Sequence, residues 1–305
     1  MHDLTKYLEE HRQAHREELF EFLRIPSVSA QSDHKADVRR CAEWLCDAMT
    51  HVGLHAAIMD TAGHPVVLGE WREAGPKAKT VLIYGHYDVQ PAEPLELWDS
   101  PPFEPNVRAG RIYARGAVDD KGQLFLHLKA IEAHLRVRGR LPVNVVVLAE
   151  GEEEVGSDHL APFVKLHAEK LKCDAVVISD SAMFAPGMPS ILSSLRGLAY
   201  FQIDVEGPTT DLHSGSYGGA VVNPATTLAR MLATLHDNSG HIAIRGFYDR
   251  VREFDVTQRD QMRDLPFQDV HFRLESGAAA LGGELVYSSL ERIWTRPTCD
   301  ITGLQ

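Results

Sequence analysis

Cysteine is scarce in this chain and scattered. Cys41, Cys46, Cys173 and Cys299 form no Cys-x-x-Cys pair, which argues against a disulfide framework and against a thiolate zinc site. They read as buried free thiols. Clustered basic charge is lacking too. The net charge is −12, whereas a nucleic-acid surface wants grouped Lys and Arg to meet phosphates. No apolar run is long enough to span a bilayer. Residues 1–19 are charged and lack the apolar core of a secretion signal, so a cytoplasmic location is the default expectation. Internal repeats and low-complexity segments are absent. With 305 residues, 44% of them hydrophobic, the chain has the composition of a globular protein and room for one large domain or two ordinary ones.

What the chain does have is centred on residues 81–88, VLIYGHYD. An apolar run ending in Gly85 and His86 reads as a buried strand that delivers its C-terminal end to a site. His86 and Asp88 are two apart, so on an extended chain they point to the same side. A carboxylate beside a histidine fixes its tautomer and leaves the other ring nitrogen for a metal. Alone, the pair reads equally as a capped strand end.

Residues 4–23 have the pattern of an amphipathic helix that stops before Ile25-Pro26, since the residue before proline avoids the helical region. Val38, Ala42, Leu45, Met49 and Val52 mark a second helix, with Gly53 as its stop. Strands are expected over 55–60, 66–71 and 80–84. Residues 91–105 carry five prolines and form a long loop over the site. A short strand over 111–114 leads into Arg-Gly-Ala-Val-Asp-Asp-Lys-Gly. A helix on Leu124, Leu128, Ile131 and Leu135 comes next, then a buried strand over 142–149, a helix over 157–171 and an apolar strand over 175–179. Strands and helices alternating at these lengths give an α/β layer with a central, at least partly parallel sheet. The pattern shifts near Leu192. Residues 198–206 alternate like a strand with one wet face, and residues 223–236 form a helix with Pro224 in its first turn. A domain boundary is placed close to Ser193.

Acidic or imidazole groups stand at or just beyond three strand ends: His86 with Asp88, residues 150–154 (Glu-Gly-Glu-Glu-Glu), and Asp180. Asp119 and Asp120 add a fourth cluster before a helix. Singly, the glutamate run reads as a solvated charge run, Asp119-Asp120 as a helix cap and Asp180 as a turn residue. Together they converge where open α/β sheets gather ligands. Unpaired, so many carboxylates repel and resist desolvation, and one or two divalent cations relieve both. Histidine plus carboxylates fits zinc, with manganese or cobalt as alternatives.

Five words of this sequence carry a resemblance: YGHYDVQP (84–91), ARGAVDDKG (114–122), EGEEEVGS (150–157), ISD (178–180) and DLHSGSYGG (211–219). By these the chain resembles the co-catalytic dinuclear zinc peptidases of the aminoacylase, carboxypeptidase and carnosinase type, closest to the cytosolic dipeptidase branch. The resemblance runs from about Leu19 to the last residue. It implies an α/β catalytic domain with a mostly parallel sheet flanked by helices (1–193) and a smaller α+β lid and dimerisation domain (194–305). It implies two zinc ions per complete subunit. His86 and Asp180 would bind one, Glu154 the other, and Asp119 would bridge them across a cis bond to Asp120. Asp88 would orient His86, and Glu153 would be the general base. His213 would reach from the lid into the partner subunit's site and stabilise the oxyanion. The substrate would be a dipeptide or short peptide. N-acyl amino acid deacylation or desuccinylation on the same centre is the alternative, and a binding or dimerising protein without catalysis is a third reading.

The same family has one more histidine ligand, on a segment that returns to the catalytic domain. By the resemblance, this chain stops inside the lid without it, and His236, His241 and His271 do not match that ligand. The chain as given is therefore expected to bind one metal well and the second poorly.

Overall fold

The computed structural model describes residues 2–192 and 194–305; Ser193, where the sequence places the domain boundary, lies outside them. The chain divides into two compact units, Met1–Pro189 and Ser190–Gln305.

The first unit begins with α1 (His2–Glu10) and α2 (Arg12–Leu23), followed by α3 (Lys35–His51), β1 (His55–Met59), β2 (Val66–Trp71) and β3 (Thr80–His86). The single helix expected over 4–23 is interrupted at His11, whose ring lies against the Tyr7 main-chain oxygen at 2.8 Å. In α3, Val38, Cys41, Ala42, Leu45 and Met49 fall on one buried stripe, as helical spacing demands. Gly53 ends the turn at φ +105°, a conformation that favours glycine.

A small hairpin, β4 (Asn106–Arg108) and β5 (Arg111–Tyr113), precedes α4 (Lys121–Arg138). Next come β6 (Asn144–Glu150), α5 (Leu160–Leu166) and β7 (Ala175–Ile178). The helix expected over 157–171 starts late because Gly156 and Ser157 sit at φ +100° and +56°, outside the right-handed helical region.

The five-stranded sheet has the order β1-β2-β6-β3-β7. β3 is parallel to β6 and to β7, whereas β2 is antiparallel to β1 and β6, so four strands run one way and β2 the other. Every residue of β6 is buried, because helices cover both of its faces. Val145, Val147 and Ala149 pack with α2, α3 and α4, while Val146 and Leu148 face Phe163 and Leu171. The alternation along one strand thus feeds two apolar layers. The edge strand β7 is different: it pairs with β3, and all four of its residues are exposed.

The second unit holds α6 (Ser214–Tyr217), α7 (Pro224–Ala233), α8 (Val256–Arg263), α9 (Asp269–Ser276) and α10 (Ser289–Thr295). Pro224 occupies the first turn of α7 and Asn223 caps it, as read from the sequence. The strand expected over 198–206 is not formed. An alternating segment becomes a strand only beside a partner edge, and among the described residues of this unit pairing is limited to an isolated bridge between His236 and Ile242. No helix is long and apolar enough to cross a membrane among the described residues.

Candidate metal centre and catalytic site

The C-terminal ends of the parallel strands build the site. β3 ends on His86, which is fully buried. Its Nδ1 lies 3.1 Å from the Asp88 main-chain oxygen and 3.3 Å from Asp88 Oδ1. Its Nε2 faces the other way, 3.1 Å from Asp119 Oδ1 and 3.6 Å from Asp180 Oδ2. Burial works against a charged ring here, but the hydrogen bond and charge of Asp88, with Asp120 and Glu153, outweigh it and bring His86 up to about 10.

Asp88 is itself fully buried and saturated. Its carboxylate accepts from the Ser29 hydroxyl at 2.6 Å and from the main-chain amides of Glu153 and Glu154 at 3.3 and 3.1 Å. One carboxylate therefore sets both the His86 ring and the turn that carries the two glutamates. That turn follows β6 directly, as a 3-10 segment Glu153–Val155. Burial and the neighbouring carboxylates raise both glutamates; His86 pulls Glu153 back down, and the Gln90 hydrogen bond does the same for Glu154.

Asp119 and Asp120 are joined by a cis peptide bond, as the resemblance implies. Asp120 stands at the N-terminal boundary of α4 but makes no side-chain cap there. Its Oδ2 accepts instead from the His86 amide at 3.2 Å, so the simple capping reading fails. Asp120 Oδ1 is buried without a hydrogen-bond partner among the described residues, and burial raises this carboxyl to about 7.

Two groups result, both containing His86: His86, Asp119 and Asp180, and His86, Glu153 and Glu154. Within each, the ligand atoms lie within 4.8 Å of one another. An imidazole with hard carboxylate oxygens, crowded and partly desolvated, is a donor set that suits a divalent ion such as zinc. Of the residues read from the sequence, His86, Asp88, Asp119, Glu153, Glu154 and Asp180 converge here. His213 belongs to the second unit, where it is exposed and its Nδ1 accepts from the Gly215 amide at the start of α6.

Sequence reasoning missed several supports. Tyr84 and Ser157 both donate to buried Glu150, at 2.5 and 2.9 Å, which ties the end of β6 to its neighbour β3 and to the glutamate turn. Glu152, also buried, accepts from the His64 amide and lies 2.8 Å from His159 Nδ1. Lys121 is fully buried and donates to the main-chain oxygens of Phe22 and Ile25, anchoring the Asp119–Asp120 loop to the end of α2. Their signal was present for Tyr84, which lies in the quoted strand word; Ser29 carries no local signal at all.

An α/β sheet that brings imidazole and carboxylates to its carboxyl edge is the class of arrangement expected of a metal-dependent hydrolase. This chain belongs to peptidase family M20/M25/M40, which matches residues 82–279. It is 36% identical over 299 residues to the Cys-Gly metallodipeptidase dug1 of Schizosaccharomyces pombe, covering 92% of this chain and 62% of that protein. Among solved structures, it is similar to the M20 family metallo-carboxypeptidase Sso-CP2 of Sulfolobus solfataricus, at 35% identity and a TM-score of 0.75, over 95% of this chain and 65% of that one. Human carnosine dipeptidase 1 matches at 25% identity and a TM-score of 0.78, over 99% of this chain and 66% of that one. The chain thus spans about 62% of the length of the curated relative with which it shares that 36% identity.

Proposed function

We propose that this chain acts as a zinc-dependent dipeptidase, with Met1–Pro189 carrying the chemistry and the region after residue 193 serving as lid and dimer surface. The observation that carries this reading is the pair of donor groups sharing His86, one of which includes the carboxylate of Glu153. Relatives named for Cys-Gly and β-Ala-His hydrolysis support a dipeptide as substrate. The free, scattered cysteines suit a cytoplasmic setting.

His86, Asp119 and Asp180 would hold one ion, and Glu154, with Asp119, would contribute to a second. When bound, the ions supply Lewis acidity that acidifies water and polarises the amide carbonyl. Asp88 keeps the proton of His86 on Nδ1 and so leaves Nε2 free to ligate. Glu153, raised by burial, takes a proton from water and returns it to the departing amine. His213 is assigned the oxyanion, in the partner subunit's site of a homodimer.

The test is Glu153→Ala. Turnover of Cys-Gly and β-Ala-His should fall by at least about 100-fold, in the range general-base removal costs, while zinc content by native mass spectrometry stays at the wild-type value. Unchanged turnover sinks the mechanism. Wild-type activity on N-acetyl or N-succinyl amino acids, with none on dipeptides, replaces the dipeptidase reading with a deacylase.

A further inference from the structure

Asp180 lies at the open end of the candidate centre's edge strand, its Oδ2 3.6 Å from His86 Nε2. It stands two residues beyond Ile178, the last residue of β7 in register with β3. Past that pair, the strand end is held, among the described residues, by a turn, Ser181 N to Ser179 O at 2.7 Å, and by one tertiary hydrogen bond. That bond joins His127 Nε2 and Ser179 Oγ at 2.6 Å. The edge strand gives little other restraint, since its residues are exposed and its outer edge is unpaired among the described residues.

We infer that His127 is a positioning residue: by binding Ser179 it aims the adjacent Asp180 at His86 and so completes the His86–Asp119–Asp180 donor group. Three features make this physical. First, Ser179 directly precedes Asp180, and the turn from Ser181 N to Ser179 O closes around Asp180, so pinning the Ser179 side chain to α4 restrains the backbone from which Asp180 reaches His86, its Oδ2 3.6 Å from Nε2. Second, His127 sits seven residues after Asp120, two turns along α4 on the same face. The helix whose start positions Asp119 therefore also fixes Asp180, and the two carboxylates share one rigid reference. Third, α4 is anchored in the core by Leu124, Phe125, Leu128 and Ile131, so it can serve as that reference. Among the described residues, the hydrogen bond of His127 goes to Ser179 and not to a proposed ligand, which separates it from the reacting groups.

This rests on the metal-centre reading, and the experiment separates the two. Zinc alone is titrated by calorimetry into the 305-residue chain and into His127→Ala, Ser179→Ala, His127→Gln and the double alanine variant, with thermal unfolding of each recorded. Each single alanine variant should retain the wild-type melting profile and bind zinc about 10–100-fold more weakly, the usual effect of losing a ligand's supporting partner. The double variant should lose no more than either single one, because one bond is removed in all three. His127→Gln places an amide nitrogen where Nε2 stood and should recover most of the affinity. Folded Ser179→Ala and His127→Ala proteins with wild-type affinity overturn the inference and leave the metal centre standing. If His127→Ala does not fold, Ser179→Ala decides alone. Wild-type protein that binds no zinc overturns the centre itself, and the tether with it.

Discussion

Asp88→Asn is the sharpest perturbation of this site because it changes charge and hydrogen-bond sense while keeping shape. The carboxylate now meets donors on every side: the Ser29 hydroxyl, two main-chain amides and His86 Nδ1. An asparagine can satisfy only part of that set. With its oxygen toward Ser29 and Glu154, it keeps two bonds but loses the charge assistance, about 1 kcal/mol in each. Its NH2 group then faces the Glu153 amide, a donor against a donor, which costs about 1–3 kcal/mol for an unpaired buried group. The opposite orientation keeps the Glu153 amide and His86 Nδ1, turns the Ser29 hydroxyl round to accept, and leaves the Glu154 amide facing a donor, at a similar cost. The sum is about 3–5 kcal/mol, a large share of the ~5–15 kcal/mol that stabilises a typical domain.

The histidine suffers as well. If Nδ1 keeps its proton for the Asp88 main-chain oxygen, the asparagine either opposes it with its NH2 or accepts from it without the carboxylate's charge. If Nδ1 accepts from the amide, the proton moves to Nε2, the atom that faces Asp119 and Asp180. Either way, zinc affinity should fall by about 10–100-fold or more. Urea denaturation gives the first quantity and zinc calorimetry the second, while 15N shifts of the ring report the tautomer. An Asp88→Asn protein within about 1 kcal/mol of wild type that binds zinc normally would refute the assigned role of Asp88.

Two further predictions concern stability. Glu132 is buried, and although burial raises its carboxyl, the hydrogen bond and charge of Lys129, with Tyr7 and His15, bring it below its ordinary 4.5. Its folded-state value is depressed, so its contribution is fully present above pH 4.5 and is lost as pH falls through the lower folded value. The urea-midpoint gap between wild type and Glu132→Gln should therefore be constant near neutral pH and shrink in acid; a gap that holds to about pH 3 contradicts this. Gly122→Ala places a Cβ 2.0 Å from the Ala117 main-chain oxygen, which cannot rotate away. It should cost at least the upper part of the usual ~1–3 kcal/mol for overpacking and weaken zinc binding through the Asp119 loop. Gly139→Ala meets open space at φ +68° and should cost only about 1–2 kcal/mol, with zinc binding untouched. Thermal unfolding and zinc calorimetry on the pair distinguish the two cases.

The alternation and spacing of apolar residues were enough to place β1, β2, β3 and β6 within a residue or two and to mark the buried faces of α3 and α4, because each buries a face whose period is local. The five motif words named the chemistry, since a metal centre needs particular side chains, and those are written in the chain. Local reading failed where the outcome depended on a distant partner. Residues 198–206 have a strand's alternation, but a strand requires a neighbouring edge that periodicity cannot supply. Asp120 had the position of a helix cap, and only the arrival of β3 gave it the His86 amide as a partner. The saturation of Asp88 joins residues 29, 88, 153 and 154, and the tether of Asp180 joins 127 to 179. The sequence by itself determined which side chains are candidate ligands and which strands end in them. The tertiary structure alone decided which nitrogen of His86 faces which carboxylate, because ring orientation is fixed by hydrogen bonds between segments far apart in the chain.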